Sequence, residues 1–273
     1  MEFRTVVDIA DPGFRIAPCE EMLFVGSCFA DKIGARFTEE RFNTTVNPFG
    51  VMYNPASVLH TIQRLTTENA PLSTVKTAFL TLGTNHVYRL KETGEIVDNC
   101  QKRPQSLFTE EVLSVEECAD YLRQAINLLR QANPAMRVVI TVSPIRYRKY
   151  GYHGSQLSKA TLLLAVDRVV KMLDANYFPA YEIVNDELRD YRFYADDMLH
   201  PSSQAVEYIW QRFSEAYLSD DAKAFLKAWQ PLKAALNHKP FDPDSQEYRI
   251  FMDKTMLKIA ELQKKYPNFA GKI

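Results

Sequence analysis

Apolar residues along this chain fall into two rhythms: short continuous runs, and longer stretches in which they recur every three or four positions. The first run is Met22-Leu23-Phe24-Val25. It stops at Gly26-Ser27-Cys28, after which Phe29, Ile33 and Phe37 recur at helical spacing. This pattern predicts a short buried strand, a tight turn at Gly26, and a helix starting at or just after Ser27. Thr44 to Val46 reads as a second short strand. The turn signal Asn47-Pro48-Phe49-Gly50 follows it, and Asn54-Pro55 then reads as N-cap and first residue of a helix carrying Val58, Leu59, Ile62 and Leu65 on one face.

The same rhythm repeats downstream. Ala78–Leu82 predicts a third strand, ending at Gly83-Thr84-Asn85-His86, and residues 87–113 read as an excursion of hairpin character turning near Thr93-Gly94. Ser114 and Glu117 form a capping-box pair before a helix with Cys118, Leu122, Ala125 and Leu129 inward. Arg137–Val142 is so continuously apolar that it suits a strand buried on both faces of a parallel sheet. A polar loop, Ser143–His153, leads to a helix over about 156–175, and Tyr181–Val184 reads as the last core strand. Pro201 opens a helix with Val206, Ile209, Trp210, Phe213 and Tyr217 on one stripe.

Strand–helix alternation over 22–218 predicts an α/β fold, a mainly parallel sheet with helices on both faces. From Ser219 the pattern becomes purely helical, over about 220–236 and 244–264, on either side of Pro240-Phe241-Asp242-Pro243. The expected division is therefore a domain over 1–218 and a helical C-terminal extension over 219–273 packed on it.

Bulk properties narrow the function classes. The 273 residues are 46% hydrophobic and 25% charged, enough for a large core, and the formal net charge of −1 gives no global field for nucleic acid or an anionic membrane. The four cysteines form no Cys-x-x-Cys pair, which suits a reducing compartment. The first residues lack a basic-then-apolar signal pattern, and no run approaches the roughly 20 apolar residues of a membrane span. A cytoplasmic protein is expected, with neither nucleic acid nor membrane as partner and with self-association left open.

Candidate chemistry sits where predicted strands end, which in such sheets is one rim. Ser27 at a strand-to-helix junction lies beside unpaired helix amides that stabilise negative charge, an advantage for a nucleophile whose attack creates an oxyanion. Its plainer role is the helix cap. Asp197-Met198-Leu199-His200 spaces a carboxylate so that it can accept from one ring nitrogen and leave the other as a base. With Ser27 opposite, this makes a serine–histidine–acid triad. The alternative is a capping His200 beside a solvated Asp197. For an oxyanion hole the candidates are the amides of Ser27 and Gly50 and the side chain of Asn85 or Asn54. Gly50 also suits a plain turn, and Asn54 a plain N-cap. Cys28 adjoins Ser27 and suits packing better than attack. His153, in a loop rich in Tyr and Arg, is a candidate substrate contact or a surface histidine. Arg146, Arg148 and Lys149 could hold an anion or be solvated. No His/Cys/carboxylate cluster has metal-ligand spacing, and no cofactor is implied.

Gly26-Ser27-Cys28-Phe29-Ala30 resembles, letter for letter, the motif that names the GSCFA family, a relative of the SGNH (GDSL-like) hydrolases. The resemblance extends through Asn47–Val51, Tyr53-Asn54-Pro55, Thr81–Thr84, Thr141–Pro144, Leu157–Ala160, Tyr177–Glu182 and Asp197–Ser202, roughly 20–218. It implies a three-layer α/β/α sandwich and a metal-independent serine hydrolase of short acyl esters, with Ser27, Asp197 and His200 catalytic. Gly50 and an asparagine would match the other oxyanion positions. SGNH enzymes usually carry Gly-x-Asn-Asp in the third block, whereas here Asn85 is followed by His86. The substrate expected is a small-molecule or glycan ester. Acyl transfer through the same intermediate, and binding without catalysis on a hydrolase scaffold, are the alternatives. An assembly role for the C-terminal helices is a third.

Overall fold

The structure, a computed structural model, describes residue 1 and residues 3–269. Its centre is a five-stranded parallel sheet. The strands are β1 (Glu21–Gly26), β2 (Asn43–Val46), β3 (Thr77–Leu82), β7 (Arg137–Val142) and β8 (Asn176–Tyr177), in the order β2-β1-β3-β7-β8. Alternation along the strands divides the core in two. Leu23, Val25, Ala78, Leu80, Leu82, Val138, Ile140 and Val142 face α2 (Pro55–Thr67), α3 (Val115–Ala132) and α4 (Gly151–Leu173). Met22, Phe24, Phe79 and Val139 face α1 (Cys28–Glu39), α6 (Ser203–Tyr217) and the helical segment before it. The result is the three-layer α/β/α sandwich, with strands buried on both sides as the continuous apolar runs require.

The excursion after β3 is a small antiparallel sheet of β4 (His86–Leu90), β5 (Ile96–Val97) and β6 (Phe108–Val112), ordered β5-β4-β6. Its tight turn lies at Gly94, φ +74°, where Gly94 N donates to Leu90 O at 2.7 Å. The capping box before α3 forms in both directions.

Three expectations change, the smallest being that Ser202 caps α6, whereas Pro201, expected to open it, lies outside the helix in a bridge with Tyr194. Tyr181–Val184 is not a strand. The edge strand is the short β8, and Pro179, which has no N–H to give the ladder, turns the chain into α5 (Ala180–Glu182) and a π-helix (Ile183–Leu188). Ala180, Ile183, Val184 and Glu187 are buried at the i, i+3, i+4, i+7 spacing of a helix, a period the short apolar run concealed. The helix expected over 156–175 begins at Gly151 and ends at Leu173, so His153 lies on its first turn instead of in a loop.

Beyond α6 come α7 (Asp220–Leu236) and α8 (Gln246–Lys265). Phe225, Trp229, Leu232, Ile259, Leu262 and Tyr266 pack together with Cys19. Trp229 Nε1 donates to Glu39 O at 3.0 Å and Lys233 pairs with Glu39 and Glu40 at 2.8 and 3.0 Å, fixing α7 to the end of α1. No helix among the described residues is long and apolar enough to cross a membrane.

Packing of α1 on β2 depends on a glycine. A Cβ at Gly34 would lie 2.6 and 2.8 Å from the two Cγ atoms of Val46. Gly34→Ala is therefore expected to destabilise the fold by about 1–3 kcal/mol in urea unfolding. Val46→Ala in the same chain should recover much of that loss. If Gly34→Ala alone unfolds at the wild-type midpoint, this contact does not fix α1.

Candidate active site

Ser27 lies where β1 passes into α1, with φ −65° and ψ 174°. Its Oγ accepts Phe29 N at 3.3 Å, as an N-cap does, and pairs with Thr81 Oγ1 at 3.0 Å. Its amide donates to Thr81 O at 3.0 Å and Thr81 Oγ1 at 2.9 Å, and the residue is wholly buried. The close approach of β1 to β3 explains Gly26: at φ +142° a Cβ would stand 2.0 Å from Thr81 O.

Asp197 and His200 form the dyad that their spacing allows. Asp197 Oδ1 accepts Leu199 N at 2.9 Å and His200 N at 3.0 Å, while Oδ2 accepts His200 Nδ1 at 2.6 Å. Met198 takes the left-handed conformation, φ +58°, that this tight turn needs. The backbone N–H groups of His200 and Leu199, then the ring, hold the exposed carboxyl down at about 2. A carboxylate only accepts, so Nδ1 carries the proton and Nε2 is left as an acceptor. The turn is tied to the β7 exit, since Arg146 N donates to Leu199 O at 3.0 Å. Ser27 and the dyad therefore belong to the same carboxyl rim of the sheet. Among the described residues Ser27 Oγ hydrogen-bonds to Thr81 and Phe29, and the His200 ring to Asp197; the two are not bonded to each other.

The other candidates are placed less favourably for catalysis. Gly50 N donates to Asn47 O at 2.8 Å in a turn, with φ +93°. Asn85 is buried; its Nδ2 donates to Leu113 O at 2.7 Å, and its Oδ1 has no partner among the described residues. Asn54 Oδ1 accepts Ser57 N at 2.9 Å, capping α2. His153 is exposed on α4. Of the first amides of α1, those of Ser27, Phe29 and Ala30 have acceptors, and that of Cys28 has none among the described residues. Cys28 is half-buried, its Sγ 3.7 Å from Tyr53 Oη. His86, in the place of the usual aspartate, stacks on Tyr150 with centroids 3.6 Å apart. Its Nδ1 meets Glu110 at 3.0 Å, while burial draws its pKa below the ordinary value.

One further group underlies this rim. Lys159 is buried, and its Nζ donates to Gly83 O at 2.6 Å and Ser143 O at 2.7 Å. It therefore bridges the residues that follow β3 and β7. Burial lowers its pKa to about 7. The Tyr147 ring lies 5.0 Å from the ammonium.

The GSCFA family model matches residues 21–76 and 63–213, well over half of the chain, and the model for the C-terminal domain of GSCFA domain proteins matches 229–272. The chain belongs to the GSCFA family. Comparison with the curated proteins found no match. Among solved structures it is similar to an acetylxylan esterase from Geobacillus stearothermophilus, at TM-score 0.47 and 9% identity over 74% of this chain and 96% of that one. It is also similar to a GDSL-like lipase from Bacteroides thetaiotaomicron, at TM-score 0.46 and 11% identity over 77% and 89%.

The GSCFA sequence signals differ in what they reveal. The Asp-x-x-His spacing was readable because a turn of that length closes on itself. Thr81 lies in one of the blocks that carry the family resemblance, but nothing in the sequence marked it as the partner of Ser27. Lys159 did: with Ser155, Leu162 and Val166 it falls on the buried stripe of α4, and a lysine on such a stripe must find acceptors inside.

Proposed function

We propose that this GSCFA protein hydrolyses carboxylic esters, short acyl esters of a carbohydrate or small metabolite, with Ser27 as nucleophile, His200 as base and Asp197 as its orienting acid. The observation that carries this is the 2.6 Å bond from His200 Nδ1 to Asp197, which leaves the other ring nitrogen basic at the strand rim. For attack, Ser27 Oγ must turn about χ1 away from Thr81, giving up a hydrogen bond of about 1 kcal/mol. Its proton passes to His200 Nε2 as Oγ bonds to the acyl carbon. The resulting oxyanion would take the free Cys28 amide as donor, so the helix N-terminus serves where Gly50 and Asn85 do not. His200 then protonates the departing alcohol, and water repeats the sequence to free the acid. An alcohol acceptor in place of water would make the same intermediate an acyltransferase. No step involves a metal, and we place this chemistry in the cytoplasm, where four unpaired cysteines persist.

Purified protein assayed with p-nitrophenyl esters from acetate to octanoate tests this. Acetate should be cleaved, with rate falling as the acyl chain lengthens. No turnover above buffer for any chain length would sink the proposal. A second reading, a binding protein on a hydrolase scaffold, is favoured by one observation: the Ser27 hydroxyl is buried and already bonded to Thr81. It would hold if acetylated sugars bind without being cleaved.

A further inference from the structure

Beside the Asp197–His200 turn lies a cavity of about 270 Å³ that the chemistry above does not use. Arg146 joins the two. Its Nη1 donates to Met198 O at 3.0 Å, one wall of the turn, and its side chain also lines the cavity. Among the described residues Arg146 forms no ion pair; its guanidinium stands over the Tyr152 and Tyr194 rings at 4.3 and 5.1 Å. The facing wall comes from the π-helix, which contributes Asn185, and from Arg189 just after it. π-helical turns concentrate at functional sites, and this one ends with Arg189 in the left-handed conformation, φ +44°.

The charge of the walls is unbalanced. Asp190 also lines the cavity, but its carboxylate is held by Arg192 at 3.0 Å. Arg189 is largely exposed and meets Asp186 only at 3.9 Å. Two guanidinium groups thus remain for a guest, and guanidinium forks match planar or tetrahedral oxyanions. Tyr191, 69% exposed, adds an aromatic face suited to a sugar ring. The volume is just below the range of about 300–1,000 Å³ usual for ligand sites, so it admits one small ring and not an oligomer.

We infer that this cavity binds the alcohol half of the substrate, and that this half is a single sugar-sized unit bearing a carboxylate or phosphate. The inference rests on the proposed ester hydrolysis for its substrate role, and on the cavity alone for binding. The acidic unit docks against Arg146 and Arg189, which brings its ester toward His200.

The test compares kcat/KM for acetylated methyl glucuronate, acetylated glucose 6-phosphate and acetylated methyl glucoside. Wild type should favour at least one acidic ester over the neutral one about tenfold, the worth of one charged hydrogen bond, and the favoured ester tells carboxylate from phosphate. Arg189→Glu should collapse that ratio to about one or below. Equal rates on all three esters, or a ratio that Arg189→Glu does not move, would overturn it. Calorimetry of Ser27→Ala protein with glucuronate, glucose 6-phosphate and glucose separates this from the esterase proposal. If no ester is cleaved, esterase activity fails, yet tighter binding of an acid than of glucose, weakened by Arg189→Glu, still supports the cavity. No preference for either acid over glucose overturns it.

Discussion

Asp197→Asn is expected to lower kcat/KM for a short acyl ester by about three to four orders of magnitude, with the fold intact. Asparagine keeps an oxygen for the Leu199 and His200 amides that Asp197 Oδ1 now accepts, so the turn survives. Its amide nitrogen then faces His200 Nδ1, and a donor there forces that nitrogen to accept. The ring proton moves to Nε2, which can no longer take the proton from Ser27. Turnover with p-nitrophenyl acetate, beside urea unfolding of both proteins, checks this. A variant within tenfold of wild type would mean that the dyad is not the base. Because its neighbours hold Asp197 at about 2, loss of this carboxylate should contribute nothing to a pH–rate profile above about pH 4.

Lys159→Met should change the pH dependence of stability. Wild type holds a buried lysine whose pKa is lowered to about 7, against about 10.4 in an unfolded chain. Below pH 7 both states carry the proton, and the burial penalty is present in full. Between about pH 7 and 10 the unfolded chain binds more protons than the native one, so wild-type stability rises with pH. The neutral amine keeps two N–H groups for Gly83 O and Ser143 O, whereas methionine leaves both carbonyls unpaired at a cost of about 1–3 kcal/mol each. The stability of wild type relative to the variant should therefore rise by a few kcal/mol from pH 7 to pH 10 in urea unfolding. Parallel stability curves would show that Lys159 does not titrate in the native protein.

What was legible in the sequence, and what was not, follows from the range of each interaction. Short continuous apolar runs and period-3.6 patterns revealed the parallel sheet, its helices and the caps at Ser114 and Asn54, because burial and capping act within a few residues. The Asp197–His200 turn was legible for the same reason. The segment after Pro179 was misread, since Ile183 and Val184 look like strand residues until Ala180 and Glu187 complete a helical face. Tyr177 to Glu182 turns out to brace the scaffold: Tyr177 Oη donates to the Glu182 carboxylate at 2.8–2.9 Å. Asn85 and Gly50 were natural oxyanion candidates by position. For Gly50 the turn alternative was already in view, and its proton goes to Asn47 O within that turn; only tertiary structure reveals that Leu113 O takes a proton of Asn85. The partnership of Ser27 with Thr81 is likewise a product of β1–β3 register, which no local pattern carries.

For ester hydrolysis here, the capped, buried hydroxyl of Ser27 must become a nucleophile under His200. The most direct measurement is incubation of the folded protein with a fluorophosphonate probe, followed by mass spectrometry of its peptides. An adduct should form on Ser27, suppressed by His200→Gln and retained in Cys28→Ala. Absence of any adduct on folded protein, or an adduct on Cys28 with Ser27 untouched, would contradict it.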